Sequence, residues 1–142
     1  MIARGEPFRW PITVYYEDTD AAGVVYYANY LRYLERARTE WLGALGFSHE
    51  RLLAEHRAVF VVHRVEIDFR APARLGDRLS TGVVLAERGR AKLVVDQTIE
   101  RGTTNIASAR VTLAAIDPAA WRPLRIPATL VARLSSPTEI VA

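Results

Sequence analysis

The 142-residue chain carries 19 basic and 16 acidic side chains, a net charge of +3, and half of its residues are apolar. That length suits one domain spanning 1–142, and the composition is globular rather than disordered. Cysteine is absent, which excludes disulfides, thiolate nucleophiles and zinc–thiolate sites, and so small a charge gives no reason to expect nucleic acid as a partner.

The first residues, M-I-A-R-G-E-P-F-R-W, contain no apolar core of a secretory leader, and no run reaches the ~18 apolar residues of a membrane span. A soluble, cytoplasmic protein without a membrane span is expected. Lys92 is the only lysine among the basic residues. That arginine bias fits a genome's nucleotide composition as readily as it fits phosphate binding by bidentate guanidinium forks.

In chain order, I-T-V-Y-Y (12–16) is rich in β-branched and aromatic types and predicts a short strand. D-A-A-G follows as a turn. Leu31, Leu34, Ala37, Trp41 and Leu45 then recur at spacings of three and four, with Arg32, Glu35, Arg36 and Glu40 between them. This period predicts a helix from about 28 to 45, with Gly46 at its C′ position. A second, shorter helix is expected over 48–56. From residue 58 the period becomes two: Val65, Ile67, Phe69 and Ala71 alternate with charged residues until A-P-A-R-L-G-D breaks the strand. Leu79, Thr81, Val83 and Leu85 begin the next strand, R-G-R turns it, L-V-V-D-Q-T-I-E forms another, and R-G-T-T-N precedes a last one. The tail from Trp121, with Pro123, Pro127 and Pro137, reads as an irregular C-terminal arm over about 121–142. The result is an α+β chain: one long helix and an antiparallel meander of about five strands. Such a sheet leaves open edges, and pairing two copies covers them, so at least a dimer is expected.

Familiar nucleophile and nucleotide signatures are missing: there is no G-x-S-x-G, G-x-G-x-x-G or Walker A loop. His49, His56 and His63 have no metal-binding spacing, and His63 is expected in the core or at an interface. Attention falls on Y-Y-E-D-T-D-A-A-G-V-V-Y-Y-A-N-Y (15–30), which holds three carboxylates and every tyrosine of the chain except Tyr33. If 12–20 is extended, Asp18 and Asp20 share one face and Glu17 takes the other. Such an Asp can cap the following turn, bind a metal weakly as D-x-D, or act in catalysis. A carboxylate beside a helix N-terminus is a usable pair. Free amides polarise a carbonyl, and the carboxylate attacks it or activates water. In a hydrolase, this kit suits thioesters better than amides, because a thiol of pKa ~8.5 leaves without a proton donor.

Residues 8–42, with D-x-D-x-x-G-[IV]-V, Y-x-x-Y-L and E-R-A-R-T-E, resemble the hotdog-fold acyl-CoA thioesterases of the 4-hydroxybenzoyl-CoA thioesterase type. Within that group the chain is most similar to the branch associated with the bacterial Tol-Pal system, and the likeness continues through A-P-A-R-L-G-D and W-R-P-L-R-I-P. The resemblance implies a hotdog fold, in which a curved sheet wraps the long helix, and a homodimer or homotetramer. It implies Asp20 as the catalytic carboxylate, nucleophile or general base, and the Tyr27 backbone N–H as the carbonyl's donor. Asp18 becomes structural, and Gly23, Val24 and Tyr26 line the substrate pocket. Arg88, Arg90 and Lys92, at a turn between strands, are the expected cations for the phosphates of CoA, although a solvated turn explains them equally. Many members of the branch have His where this chain has Tyr27; a backbone role survives that change. The implied substrate is a short-chain aliphatic or aromatic acyl-CoA, or an acyl chain on acyl carrier protein. No metal or cofactor is needed, since CoA is part of the substrate. The rival expectations are a non-catalytic acyl-binding scaffold of an envelope or lipid-synthesis complex, and a hotdog hydratase. The hydratase is disfavoured by the lack of an Asp/His pair.

Overall fold

The computed structural model describes residues 6–134. The first five residues of the expected leaderless start, and the end of the arm including Pro137, lie outside the described residues.

Strand β1 (Phe8–Thr13) is followed by one 3-10 turn (Tyr16–Asp18), the long helix α1 (Asn29–Ala44) and the short helix α2 (His49–His56). Four long strands come next: β2 (Val59–Phe69), β3 (Arg78–Arg88), β4 (Lys92–Arg101) and β5 (Thr104–Asp117). The described chain ends with β6 (Arg122–Pro123) and α3 (Ala128–Leu134). The sheet has the order β1–β3–β4–β5–β2, antiparallel throughout, with β6 added against β5. The expected α+β order of one long helix and about five strands is therefore found.

The helix and the sheet meet through their apolar faces. Tyr30, Tyr33, Leu34, Ala37, Trp41 and Leu42 of α1 are buried in one cluster with Leu79, Val83, Leu93, Val95, Ile99 and Val111 of the sheet. Burying each such side chain is worth ~1.5–3 kcal/mol, so this face fixes the helix on the sheet. The predicted helical period holds, but its N-terminal end is turned by one residue. Leu31 is 43% exposed, because the larger rings of Tyr30 and Tyr33 take the sheet-facing positions.

Gly46 ends α1 as expected. It adopts φ +90°, its N–H bonds Gly43 O at 2.9 Å, and the Phe47 N–H bonds Leu42 O at 2.8 Å. This pair of bonds satisfies the last carbonyls of the helix and turns buried Phe47 back onto it. Ser48 then caps α2, its Oγ accepting the Arg51 N–H at 3.1 Å.

Two expectations are corrected. The arm from Trp121 is not irregular throughout, since β6 and α3 lie within it. Pro127 sits just before α3, where its missing N–H costs nothing, and its carbonyl accepts the Leu130 and Val131 N–H groups at 3.0 Å. Leu130 and Leu134 anchor the turn in the core. Of the two places expected for His63, the core is excluded: its side chain is exposed in the single chain. The register between β2 and β5 shifts between Val62 and Arg64, so His63 is the extra residue of a bulge and is turned out of the core.

Candidate active site

The chain leaves the sheet at Thr13 and makes a 3-10 turn before the acids are complete. The expectation that 12–20 stays extended, with Asp18 and Asp20 on one face, is thereby overturned. Asp18 is 5% exposed and its Oδ2 accepts the Tyr15 N–H at 2.8 Å. Asp20 is exposed. Its Oδ1 accepts the Ala22 N–H at 2.8 Å, while its N–H bonds Val24 O at 2.9 Å and its carbonyl accepts the Gly23 N–H at 3.0 Å. This tight loop requires the left-handed φ of +78° at Gly23. Among the described residues no hydrogen bond or ion pair reaches Asp20 Oδ2.

The loop is stitched to the start of α1. Thr19 bridges Val25, and Val24 bridges Arg74. The Asp18 carbonyl accepts both the Tyr26 N–H at 2.9 Å and Asn29 Nδ2 at 2.9 Å. The first turn of α1 is tight: the N–H groups of Asn29, Tyr30 and Leu31 bond Tyr26 O, Tyr27 O and Ala28 O at 2.8, 3.2 and 3.2 Å. Among the described residues no acceptor takes the Tyr27 N–H. The structure thus places a half-free carboxylate and an unbonded helix-terminal amide on one short loop, which can hold an anion or a polarised carbonyl. Among the described residues no three His, Asp or Glu side chains converge as a metal site.

An open cleft of about 310 Å³ lies beside Tyr27, lined by Val25, Tyr27, Tyr30, Phe69, Arg70, Ala71 and Pro72. The predicted pocket residues Gly23, Val24 and Tyr26 do not line it. Gly23 serves the turn, Val24 pairs with the Arg74 backbone, and the Tyr26 ring leans on Tyr27 with centroids 5.1 Å apart. Phe69 was missed. It closes the cleft edge-on to Tyr27, centroids 6.1 Å apart, and alternation along β2 gave only a generic apolar position, with no sign that it faces outward at the end of an edge strand.

The expected cations lie at the turn between β3 and β4, as the sequence indicated, and away from the Asp20 loop of the same chain. The Asp20 loop adjoins the start of β3, where the Val14 N–H bonds Asp77 O, whereas Arg88 ends that strand. At ~3.3 Å per residue the two ends of β3 stand roughly 30 Å apart. Arg88 and Arg90 instead line a second cleft of about 380 Å³ with Gly89, Arg125, Ile126 and Val131, and the Arg90 carbonyl holds the Ile126 N–H at 2.8 Å. None of the three arginines forms an ion pair among the described residues. Lys92 does not line this cleft; its stem packs beside Gly89, where an added Cβ would meet Lys92 Cγ at 3.0 Å. Arg125 was the missed member, visible in the sequence only as part of W-R-P-L-R-I-P.

Comparison with known proteins agrees with this architecture. Residues 14–134 match the thioesterase-like superfamily. The acyl-CoA thioester hydrolase YbgC of Escherichia coli is 41% identical over 126 residues, which cover 88% of this chain and 93% of that protein. The acyl-CoA thioesterase YbgC of Haemophilus influenzae is 41% identical over 120 residues, 84% of this chain and 88% of that one. A crystal structure of a probable thioesterase from Bartonella henselae superposes with a TM-score of 0.81 at 33% identity, covering 84% of this chain and 98% of the other. With a curved antiparallel sheet around one long helix and a family match over nearly all of the described residues, the chain belongs to the thioesterase-like superfamily and has its hotdog fold.

Proposed function

We propose that the protein hydrolyses acyl-CoA thioesters to the free acid and CoA. Its family makes it a thioester hydrolase. The observation that supports the residue assignment is the presence on one short loop of Asp20 and the Tyr27 N–H, with one Asp20 carboxylate oxygen and that N–H both unbonded among the described residues. The thioester carbonyl takes the Tyr27 N–H, and Asp20 either removes a proton from the water that attacks its carbon, or attacks it directly to give an acyl anhydride that water then hydrolyses to the free acid. The thiolate leaves without a general acid, and no cofactor enters.

The acyl group, short-chain aliphatic or aromatic, lies in the cleft that Tyr27 and Phe69 line together. Arg88 ends β3 and Arg90 lies in the turn after it, at the opposite end of that strand from the Asp20 loop of the same chain. We infer that they serve a neighbouring copy in a homodimer or homotetramer. Among the described residues the outer edge of the 11-residue strand β2 has no partner strand, and Val62 and Phe69 on that strand are 48% and 49% exposed, so β2 is the edge that pairing would cover. The motif D-x-D-x-x-G-V-V and the E-R-A-R-T-E run support placement in the 4-hydroxybenzoyl-CoA thioesterase type and its Tol-Pal-associated branch. Acyl carrier protein is a second carrier of the substrate, and the cytoplasm is the site of action. No helix among the described residues is long and apolar enough to cross a membrane.

Purified protein assayed against aliphatic acyl-CoAs of graded length and aromatic acyl-CoAs tests the proposal. Asp20→Asn is expected to lower kcat by at least ~10². Turnover that survives the substitution would remove Asp20 from the chemistry. A wild-type protein that binds acyl-CoA yet turns over no thioester would point instead to the acyl-binding scaffold.

A further inference from the structure

Asn29 occupies the first position of α1, yet its side chain caps nothing in its own helix. It is 9% exposed and reaches back eleven residues, donating from Nδ2 to the Asp18 carbonyl at 2.9 Å. The same oxygen accepts the Tyr26 N–H at 2.9 Å. Two donors that bracket Tyr27 therefore converge on one carbonyl, and the Tyr27 N–H between them has no acceptor among the described residues. The carbonyl is itself fixed, because the buried Asp18 side chain holds the Tyr15 N–H at 2.8 Å. Two residues further on, the chain presents Asp20.

We infer that Asn29 is a positioning residue, whose side-chain amide sets the placement of the Tyr27 N–H relative to the Asp20 carboxylate. The inference rests on the proposed roles of those two groups. It asks nothing of Asn29 at the substrate. A carbonyl has two lone pairs, and without Asn29 the Asp18 oxygen keeps the Tyr26 N–H. The loop therefore stays folded while losing one of the two ties that define its angle to the helix. Misplacement by ~1 Å of groups that must converge on one carbonyl can cost ~10² in rate.

The test is a kinetic cycle on full-length protein, comparing wild type, Asn29→Ala, Asp20→Asn and the double variant on one acyl-CoA. Asn29→Ala should lower kcat about 10- to 30-fold, leave KM within about threefold and shift Tm by no more than about 5 °C. On the Asp20→Asn background the same substitution should cost less than about threefold, since there is no longer a carboxylate to align. An unchanged kcat, or an equal fold loss on both backgrounds, would make Asn29 a structural tie only. If Asp20→Asn is inactive and Asn29→Ala is not impaired, Asn29 alone loses its role. If Asp20→Asn keeps full activity, the underlying assignment falls, and this inference falls with it. Asn29→Gln, which keeps the amide but lengthens its reach, is read by the same criteria if the alanine variant does not fold.

Discussion

Asp18 and Asp20 stand two positions apart in opposite surroundings. The Asp18 carboxylate is buried and bonded to the Tyr15 N–H at 2.8 Å, while Asp20 is exposed and its carboxylate accepts the Ala22 N–H at 2.8 Å. The tie from Asp18 to the helix start runs through its backbone carbonyl, which no side-chain substitution removes. Asp18→Asn keeps an oxygen for the Tyr15 N–H but loses a charge-assisted bond, which should cost about 1–2 kcal/mol of stability. Its kcat should stay within about threefold of wild type. Denaturant midpoints and kcat measured on one preparation check this; a hundredfold loss of kcat would make Asp18 a reacting group.

Arg38 and Gln97 form a second buried polar tie, between α1 and β4. Arg38 Nη1 donates to Gln97 Oε1 at 3.1 Å, and Gln97 Nε2 donates to Leu34 O at 3.0 Å. Burial holds the guanidinium below its usual pKa, and Glu35 works in the opposite direction. Among the described residues no carboxylate lies within ion-pair distance of Arg38. Gln97→Leu would strand the cation and should cost about 2–3 kcal/mol. Adding Arg38→Met should recover at least about 1 kcal/mol of that loss. Two single losses that simply add would show that the pair does not interact.

Much of the fold was legible because the sequence states its periods openly. The three-and-four spacing from Leu34 to Trp41, Gly46 and the alternation of β3 each name a local structure. The places that misled are those where tertiary structure overrides a local pattern. Tyr16–Asp18 has strand-like neighbours but turns, because burying Asp18 under the helix start satisfies the Tyr15 N–H and brings Tyr26 and Asn29 onto one carbonyl. His63 lies in an apolar run but falls on a bulge, which no single-strand pattern reveals. Of the candidate site, Asp20, Gly23 and Tyr27 could be found because they are close in sequence. Phe69 and Arg125 could not, since only the folding of the sheet decides which end of it each occupies.

Asp77 should set part of the acid limit of stability. Its Oδ2 accepts the Arg74 N–H at 2.9 Å and Arg101 Nη1 at 2.8 Å. The Arg74 N–H, followed by Arg101, holds its carboxyl below the usual range, against the opposing effect of burial. With a lowered pKa in the folded state, folding favours the carboxylate. The contribution is complete above the ordinary Asp pKa of ~3.9 and is lost as pH falls from there towards the folded value. Tm followed from pH 7 to pH 2.5 should drop less steeply below pH 4 in Asp77→Asn than in wild type, from a lower plateau at neutral pH. Parallel acid limbs would show that Asp77 contributes nothing to them.

Tyr33 offers a gain rather than a loss. Its hydroxyl is fully buried and has no hydrogen-bond partner among the described residues. Its ring meets Tyr30 edge-on, with centroids 6.1 Å apart, and lies 5.7 Å from the Arg36 guanidinium. Burial pushes the phenol's pKa up, and the neighbouring Asp18 carboxylate adds to the shift, although its geometry falls short of a hydrogen bond to the hydroxyl. A raised pKa in the folded state means that folding favours the protonated phenol. That contribution is whole below the ordinary Tyr pKa of ~10 and is lost as pH rises above it. Tyr33→Phe keeps both ring contacts and removes the unpaired hydroxyl, whose burial costs about 1–3 kcal/mol. The variant should therefore be more stable by ~1 kcal/mol, raising Tm by about 4 °C at neutral pH, and should lose less stability between pH 9 and pH 11. A Tm below wild type would mean that the hydroxyl is paired in solution, with the Asp18 carboxylate as the nearest candidate acceptor.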